Sequence, residues 1–454
     1  MSQWQDFYNS IKDISWPPCE SENDYDQLPD WIRRECEHTH GYRPTPVFPI
    51  DTATSCHLKW TWSTVFLHTN TTSTCPLKSN PHVVDFSVVD FHNTALKIQD
   101  RKNMMLGQWP DRGCGSCQQS EKLHGTSERL KHKDMGSYSL PPQELIDDPT
   151  ATQVTPRIVE VYFDNSCNLK CVYCGEGFSS SWYKENKKYP QSKIIPIGFD
   201  DIKSKTVHEN AQHFLAWFKI NRQHLTDLTI IGGEPLCQYQ FYQLLDILED
   251  CPASELNLQI VTNLNDIDTK LKLPEIISKI DSLITRGQLK KFTVHASLDC
   301  VGAEAEYIRF PLNVSTWIQN FELLLQHHWI DLVIRSSITP LTIKPMANFI
   351  RQVNQWRAIR PIEQRFLAIT FPTYMAPITF GNSLEQDFDC VLAVVPQDDD
   401  NRQSLEHIKQ ECKKHELSTD SVSKLIQFLN EIDHRRGTNW RSVFPWLDKF
   451  KSSQ

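Results

Sequence analysis

Val159-Glu-Val-Tyr-Phe-Asp-Asn-Ser-Cys167-Asn-Leu-Lys-Cys171-Val-Tyr-Cys174-Gly175 reads as an apolar strand running directly into a loop with three cysteines at CxxxCxxC spacing. A loop can wrap three thiolates around one centre, whereas a regular helix or strand cannot converge those side chains. Three thiolates suit a [4Fe-4S] cube with one iron left open to a ligand, as catalytic metal sites keep a free position. Zinc binding and a chance spacing are the plainer readings of the same residues.

From residue 157 onward, short apolar runs alternate with longer amphipathic stretches, the appearance of β/α units and a parallel sheet. Strands are expected at 158–163, 227–231, 256–262, 291–297, 332–338 and 366–371. Helices are expected between them, for example at 208–220, 241–249, 273–284 and 314–327. Six units make most of a barrel but not a closed eightfold one. The expected fold is therefore α/β, a partial (β/α)6 TIM-like barrel over 151–380. A cysteine-rich domain precedes it over 1–150, and a helical extension follows over 381–454. A Pro-rich, acidic stretch at 139–156 reads as the connector.

The second expected strand ends in Leu228-Thr-Ile-Ile-Gly232-Gly233-Glu234-Pro235. Two glycines let backbone approach a ligand closely, and a carboxylate accepts hydrogen bonds from a cationic amine. Val261-Thr-Asn263 closes the third strand. His295-Ala-Ser297-Leu-Asp299 closes the fourth and is followed by Glu306-Tyr-Ile-Arg309.

CxxxCxxC after a first strand, together with Gly-Gly-Glu-Pro after a second, resembles the radical SAM enzymes over about residues 55 to 380. The resemblance implies a [4Fe-4S] cluster on Cys167, Cys171 and Cys174, with S-adenosylmethionine on its open iron. It implies that Tyr173 lies near the adenine and that Gly232, Gly233 and Glu234 receive the methionyl amine. Ser297 and Asp299 then approach the ribose, and Arg309 the carboxylate, which a planar guanidinium suits. Asn263 carries over as a further cofactor contact. The implied reaction passes one electron to the sulfonium, and the resulting 5'-deoxyadenosyl radical takes a hydrogen atom from a substrate. A one-electron donor such as flavodoxin or ferredoxin is implied with it. The protein's share is to hold the cofactor and exclude water.

Upstream, Cys56 and Cys75 flank a strand–turn–strand pattern, and Arg112-Gly-Cys114-Gly-Ser-Cys117 forms a CxxC. Four thiolates there can close around one centre, either a second [4Fe-4S] cluster or structural zinc. The arrangement resembles the twitch and SPASM auxiliary-cluster modules, with the cysteine count of the shorter twitch type. It departs from them in preceding the barrel and in lacking a glycine in the turn. His57, His68 and His92 are possible replacement ligands, although such histidines are more often plain strand or surface residues. Modules of this kind often act on peptides, so a peptide or protein substrate is expected, with a small-molecule metabolite as the alternative.

Composition sets the outer limits. The 454 residues carry a formal charge of -9 and no basic cluster near the motifs, which argues against nucleic acid as partner. No run approaches the roughly 20 apolar residues of a membrane span. The start, MSQWQDFYNSIKD, lacks a basic then apolar leader, so 14 cysteines are expected in a reducing cytoplasm and need a use other than disulfides. A zinc-stabilised, non-catalytic interaction protein is the reading from another class. Gly-Gly-Glu-Pro at a strand end speaks against it. Cys300, Cys390 and Cys412 read as small buried hydrophobes rather than hydrogen donors. His434-Arg-Arg reads as a helix-end charge cluster, and the aromatic tail from Asn439 to Leu447 as an anchor for the last helix.

Overall fold

The computed structural model describes residues 48–77, 81–87, 90–133, 140–191, 204–265, 271–397, 399 and 401–450. Cys19, Cys36 and part of the 139–156 connector lie outside the described residues. The chain divides into two compact units. One takes the described residues of 1–64, 72–84 and 88–158, and the other those of 65–71, 85–87 and 159–454. The stretch expected as a separate extension, 381–454, is thus part of the second unit.

The second unit is mixed α/β. After β4 (Ile158–Tyr162) come β5 (Asp227–Ile230), β6 (Ala253–Thr262), β7 (Leu289–Ser297), β8 (Ile330–Ile338) and β9 (Glu363–Ala368), neighbours in that sequential order. The pairings from β5 to β9 are all parallel. Parallel neighbours need crossovers, and these are the helices Ser204–Asn221, Tyr239–Asp250, Leu273–Thr285, Val314–Leu325 and Ile343–Arg357. Leu273–Thr285 shows the sequence logic: Pro274 sits in its first turn, Glu275 accepts from the Lys272 backbone N–H at 2.7 Å, and Ile276, Ile277, Ile280 and Leu283 are buried. Trp317, Phe321 and Trp356 pack behind β8, with Phe321 4.8 Å from Trp356 and stacked 5.1 Å from Trp317.

The long helix Thr419–Arg436 is capped by Ser418, which accepts from the Ser421 N–H. Beyond it Trp440, Phe444 and Leu447 are buried, so the aromatic tail anchors the chain end as expected.

The first unit is more helical than its sequence promised, with helices Ala95–Met105, Gly115–His124, Glu128–Lys133 and Gln143–Asp147. Their polar faces hide the periodicity. Arg101 and Lys97 are buried, and the Lys97 ammonium donates to Ser63, Thr72 and the Ser73 carbonyl at 2.8–3.0 Å. Strands β1 (Trp62–Phe66), β2 (Thr71–Ser73) and β3 (His82–Val83) are neighbours in the order β3-β2-β1. The turn without glycine, in the stretch 65–71 that belongs to the second unit, is made by Asn70, at φ 56°; Asn is one of the few residues that visit this region readily.

Truncating Phe321, which is wholly buried, to Ala should cost about 3–5 kcal/mol through lost burial and a residual cavity. Urea unfolding of the two proteins measures it, as a drop in midpoint at unchanged slope.

Candidate active site

A cavity of about 860 Å³ in the second unit is lined by Cys167, Cys171, Tyr173, Cys174, Gly232, Gly233, Asn263, Ser297 and Arg309. Residues drawn from four separate strand ends thus meet in one place. They do so because strands β4 to β7 all deliver their C-terminal loops to the same edge of a parallel sheet.

The cysteine loop is held from both sides. Lys170 and Val172 donate backbone N–H groups to the carbonyls of Phe310 and Ile308, at 2.7 and 2.8 Å. The Trp182 indole donates to the Cys171 carbonyl at 2.8 Å, and the Ser181 hydroxyl to that of Cys167 at 2.7 Å. The first of these contacts places Arg309 against the loop. Its Nε and Nη2 each lie 2.9 Å from Asp299, whose Oδ2 also accepts from the Tyr173 hydroxyl at 2.6 Å and whose Oδ1 accepts from the Ser337 N–H at 2.7 Å. Burial opposes the charge on Arg309, but the adjoining Asp299 carboxylate more than offsets it and holds the guanidinium ionised. Asp299 does not line the cavity. It positions Arg309 and Tyr173, which do.

Gly232 and Gly233 have φ of 86° and 56°. A Cβ on Gly232 would sit 2.2 Å from the Tyr162 ring, and one on Gly233 2.4 Å from the Ser166 carbonyl. Both glycines are therefore demanded by the close approach of the β5 turn to the cysteine loop. Glu234 departs from its expected part. It is fully buried away from the cavity, with Thr262 Oγ1 and the N–H groups of Asn263 and Leu236 donating to its carboxylate at 2.7, 2.7 and 3.1 Å. Its work is to bind the end of β5 to the end of β6. Burial pushes its carboxyl up to about 7, against those three donors, which favour the ionised form.

Three cysteine side chains face one space. Burial raises all three thiols, that of Cys174 to about 12, and Cys171 raises Cys167 and Cys174 further. Thiols so placed ionise together only around a cation, as when a metal centre deprotonates its ligands. The donor set is all sulfur, the type an iron–sulfur cluster takes, so these residues fit the group. Among the described residues no three His, Cys, Asp or Glu side chains are placed to hold a single metal ion.

Sequence reasoning missed Arg335 on β8, which lines the cavity and donates through Nε to His295 Nδ1 at 3.3 Å. The signal was present: Arg335-Ser-Ser at the end of an apolar strand is as polar as the strand ends that were singled out. Phe178, Leu367 and Phe371, the last 69% exposed, form an apolar rim. Cys300 and Cys412 are buried and Cys390 is exposed, and none of the three lines the cavity.

In the first unit, Cys56, Cys75, Cys114 and Cys117 line one small pocket together with Lys59 and Arg129. Cys114 is the N-cap of the helix Gly115–His124, so the CxxC is the entry to a helix rather than a free knuckle. Burial pushes the Cys56 thiol up to about 12. His57 stacks on Phe48 at 3.8 Å and His92 is held by Ser63 and the Trp60 carbonyl, and neither lines that pocket.

No protein-family model and no curated protein matches the chain. Solved structures do. Streptococcus suis SuiB bound to precursor peptide SuiA aligns at 12% identity and TM-score 0.33, over 65% of this chain and 50% of that one. The protein anSMEcpe with bound AdoMet and Cp18Cys peptide aligns at 17% and 0.31, over 59% and 65%. TYW1 with a lysine-pyruvate adduct aligns at 11% and 0.29, over 53% and 76%. These proteins are radical SAM enzymes. This chain thus spans half to about two thirds of the SuiB and anSMEcpe chains it matches. Overlaps this slight decide neither fold nor family, and what the site does follows from its own side chains.

The Glu234 carboxyl makes a pH prediction. Its pKa is higher folded than unfolded, where it is about 4.3, so the stability it confers is full below that value and is lost as pH rises towards about 7. In iron-free protein the loss should total about 3 kcal/mol, read as a falling urea midpoint between those pH values. Glu234→Gln should remove that slope while lowering stability at acidic pH.

Proposed function

We propose that this chain is a radical SAM enzyme that abstracts hydrogen from a peptide or protein substrate. The second unit would act as its partial (β/α)6 barrel, and the first as its auxiliary-cluster domain. The observation that carries the reading is that Cys167, Cys171, Cys174, the Gly232-Gly233 turn, Ser297 and Arg309 line a single cavity. A zinc-stabilised interaction protein gives no reason for that convergence.

A [4Fe-4S] cluster on the three cysteines, with S-adenosylmethionine bound beside it, would supply a 5'-deoxyadenosyl radical after one-electron reduction. The chain's own residues do the rest. The thiolates of Cys167, Cys171 and Cys174 would hold the cluster. The Gly232-Gly233 turn lines the cavity beside the cysteine loop, and its backbone would receive an amine. Asp299 engages Nε and Nη2 of Arg309, which leaves Nη1 outside that pair to hold a carboxylate. Tyr173 forms a wall flat enough for an adenine, and its hydroxyl is fixed by Asp299. Asn263 and Ser297 add polar contacts for a ribose.

Two features favour a substrate larger than a metabolite. About 860 Å³ lies towards the upper end of the ~300–1,000 Å³ of ligand pockets, so a second reactant fits beside the nucleoside. The rim of Phe178, Leu367 and Phe371 offers apolar surface to a side chain entering from outside. In the first unit, Cys56, Cys75, Cys114 and Cys117 would hold a second [4Fe-4S] centre that relays an electron.

Protein purified without oxygen and reconstituted should hold about eight irons with matching sulfide. Four irons with one zinc would make the first unit's site structural, and no retained iron would overturn the reading. After reduction with dithionite, S-adenosylmethionine should yield 5'-deoxyadenosine, and Cys174→Ala should abolish it. Cys114→Ala should keep that cleavage while losing the second centre's iron. Arg309→Lys keeps the charge but loses the planar donor pair, so S-adenosylmethionine should bind about tenfold more weakly by calorimetry, the worth of about 1.4 kcal/mol.

A further inference from the structure

The helix Thr419–Arg436 ends in His434-Arg435-Arg436, which the sequence presents as a helix-end charge cluster. The structure buries it: the side chains of Arg435 and Arg436 are each 1% exposed. Arg435 is satisfied by Glu431 and Asn186. Arg436 is different. Its guanidinium carbon lies 4.6 Å from the Trp182 ring centroid and 5.3 Å from that of Phe310. Its Nε and Nη2 reach Glu185 at 3.1–3.3 Å, while Nη1 is buried with no hydrogen-bond partner.

Both rings belong to the support of the cysteine loop. Trp182 donates to the Cys171 carbonyl, and Phe310 accepts from the Lys170 N–H. Glu185 is also shared, because Lys170 Nζ lies 2.5 Å from its Oε2. Two cations on one carboxylate leave one net positive charge behind the loop. A buried cation with an idle donor is expensive to keep unless an anion nearby compensates it. No carboxylate beyond Glu185 pairs with Arg436 among the described residues. Three thiolates around an iron–sulfur core make such an anion, and it gains a further negative charge on reduction. Nearby charge is among the factors that set cluster potentials.

We propose that Arg436, a positioning residue that touches neither cluster nor substrate, raises the reduction potential of the cluster held by Cys167, Cys171 and Cys174. The helix Thr419–Arg436 thereby makes the one-electron reduction easier. The inference rests on the radical SAM reading above. In the step concerned, one electron passes from dithionite to the cluster core, which goes from 2+ to 1+, with no bond made or broken.

The test is a dithionite titration of reconstituted full-length protein, followed by electron paramagnetic resonance, on the wild type, Arg436→Gln, Arg436→Lys and Glu185→Gln. Each should carry Cys114→Ala so that only the barrel cluster is read. Arg436→Gln should make the midpoint more negative by about a tenfold change in the reduction equilibrium, about 59 mV for one electron. Glu185→Gln, which leaves the cations unneutralised, should move it the other way, and Arg436→Lys should stay near wild type. Should Arg436→Gln fail to fold, the opposite shift in Glu185→Gln still decides. Unmoved midpoints, or both variants moving in one direction while the cluster is present, would overturn the role of Arg436 alone. A wild type that holds no cluster would overturn the family reading with it.

Discussion

The carboxylate of Asp299 is the point on which the site depends. It is 1% exposed and takes four donors: two from Arg309, one from Tyr173 and one from the backbone of Ser337. Those donors come from the cysteine loop, the segment after β7 and the strand β8. A buried ion pair is weak evidence for stability, because desolvation consumes most of the attraction. Its worth here is geometric. With every oxygen lone pair directed, the carboxylate fixes where the Arg309 guanidinium and the Tyr173 ring stand, and both face the cavity.

Around that fixed point the site is assembled by close approach. The cysteine loop pairs its backbone with the carbonyls of Ile308 and Phe310 on one side, and the Gly232-Gly233 turn presses against Tyr162 and Ser166 on the other. Glu234 then ties the ends of β5 and β6 together from beneath. Each device uses a polar group completely satisfied within the protein. Arg436 keeps one nitrogen, Nη1, buried without a partner behind the cysteine loop.

The first unit follows a different economy. Its core is small and mixed, with Trp60, Trp62, Met104 and Leu145 beside Cys56, and with Cys75 and Cys114 packed against the edge. Buried Lys97, His92 and Arg101 consume the hydroxyls and carbonyls of the surrounding loops. A metal centre at the four cysteines would cross-link this core.

The sequence by itself determined the α/β class, the positions of the strands β4 to β9 and the identity of the cavity cysteines and glycines. Short apolar runs, amphipathic stretches and Gly-Gly turns are local features that survive without knowledge of neighbours. Strand boundaries such as Leu289–Ser297 shifted by only a few residues from the reading. Tertiary structure alone decided what each polar residue is for. Glu234 and Asp299 read alike as strand-end carboxylates, yet both are buried scaffolding, because their nearest donors arrive from strands distant in sequence. Arg335 reaches the cavity, and Arg436 lies under Trp182 and Phe310 more than a hundred residues away in the chain. The physical reason is the same throughout. A charge is directed by the partners that desolvation forces upon it, and those partners are set by packing, which periodicity does not encode.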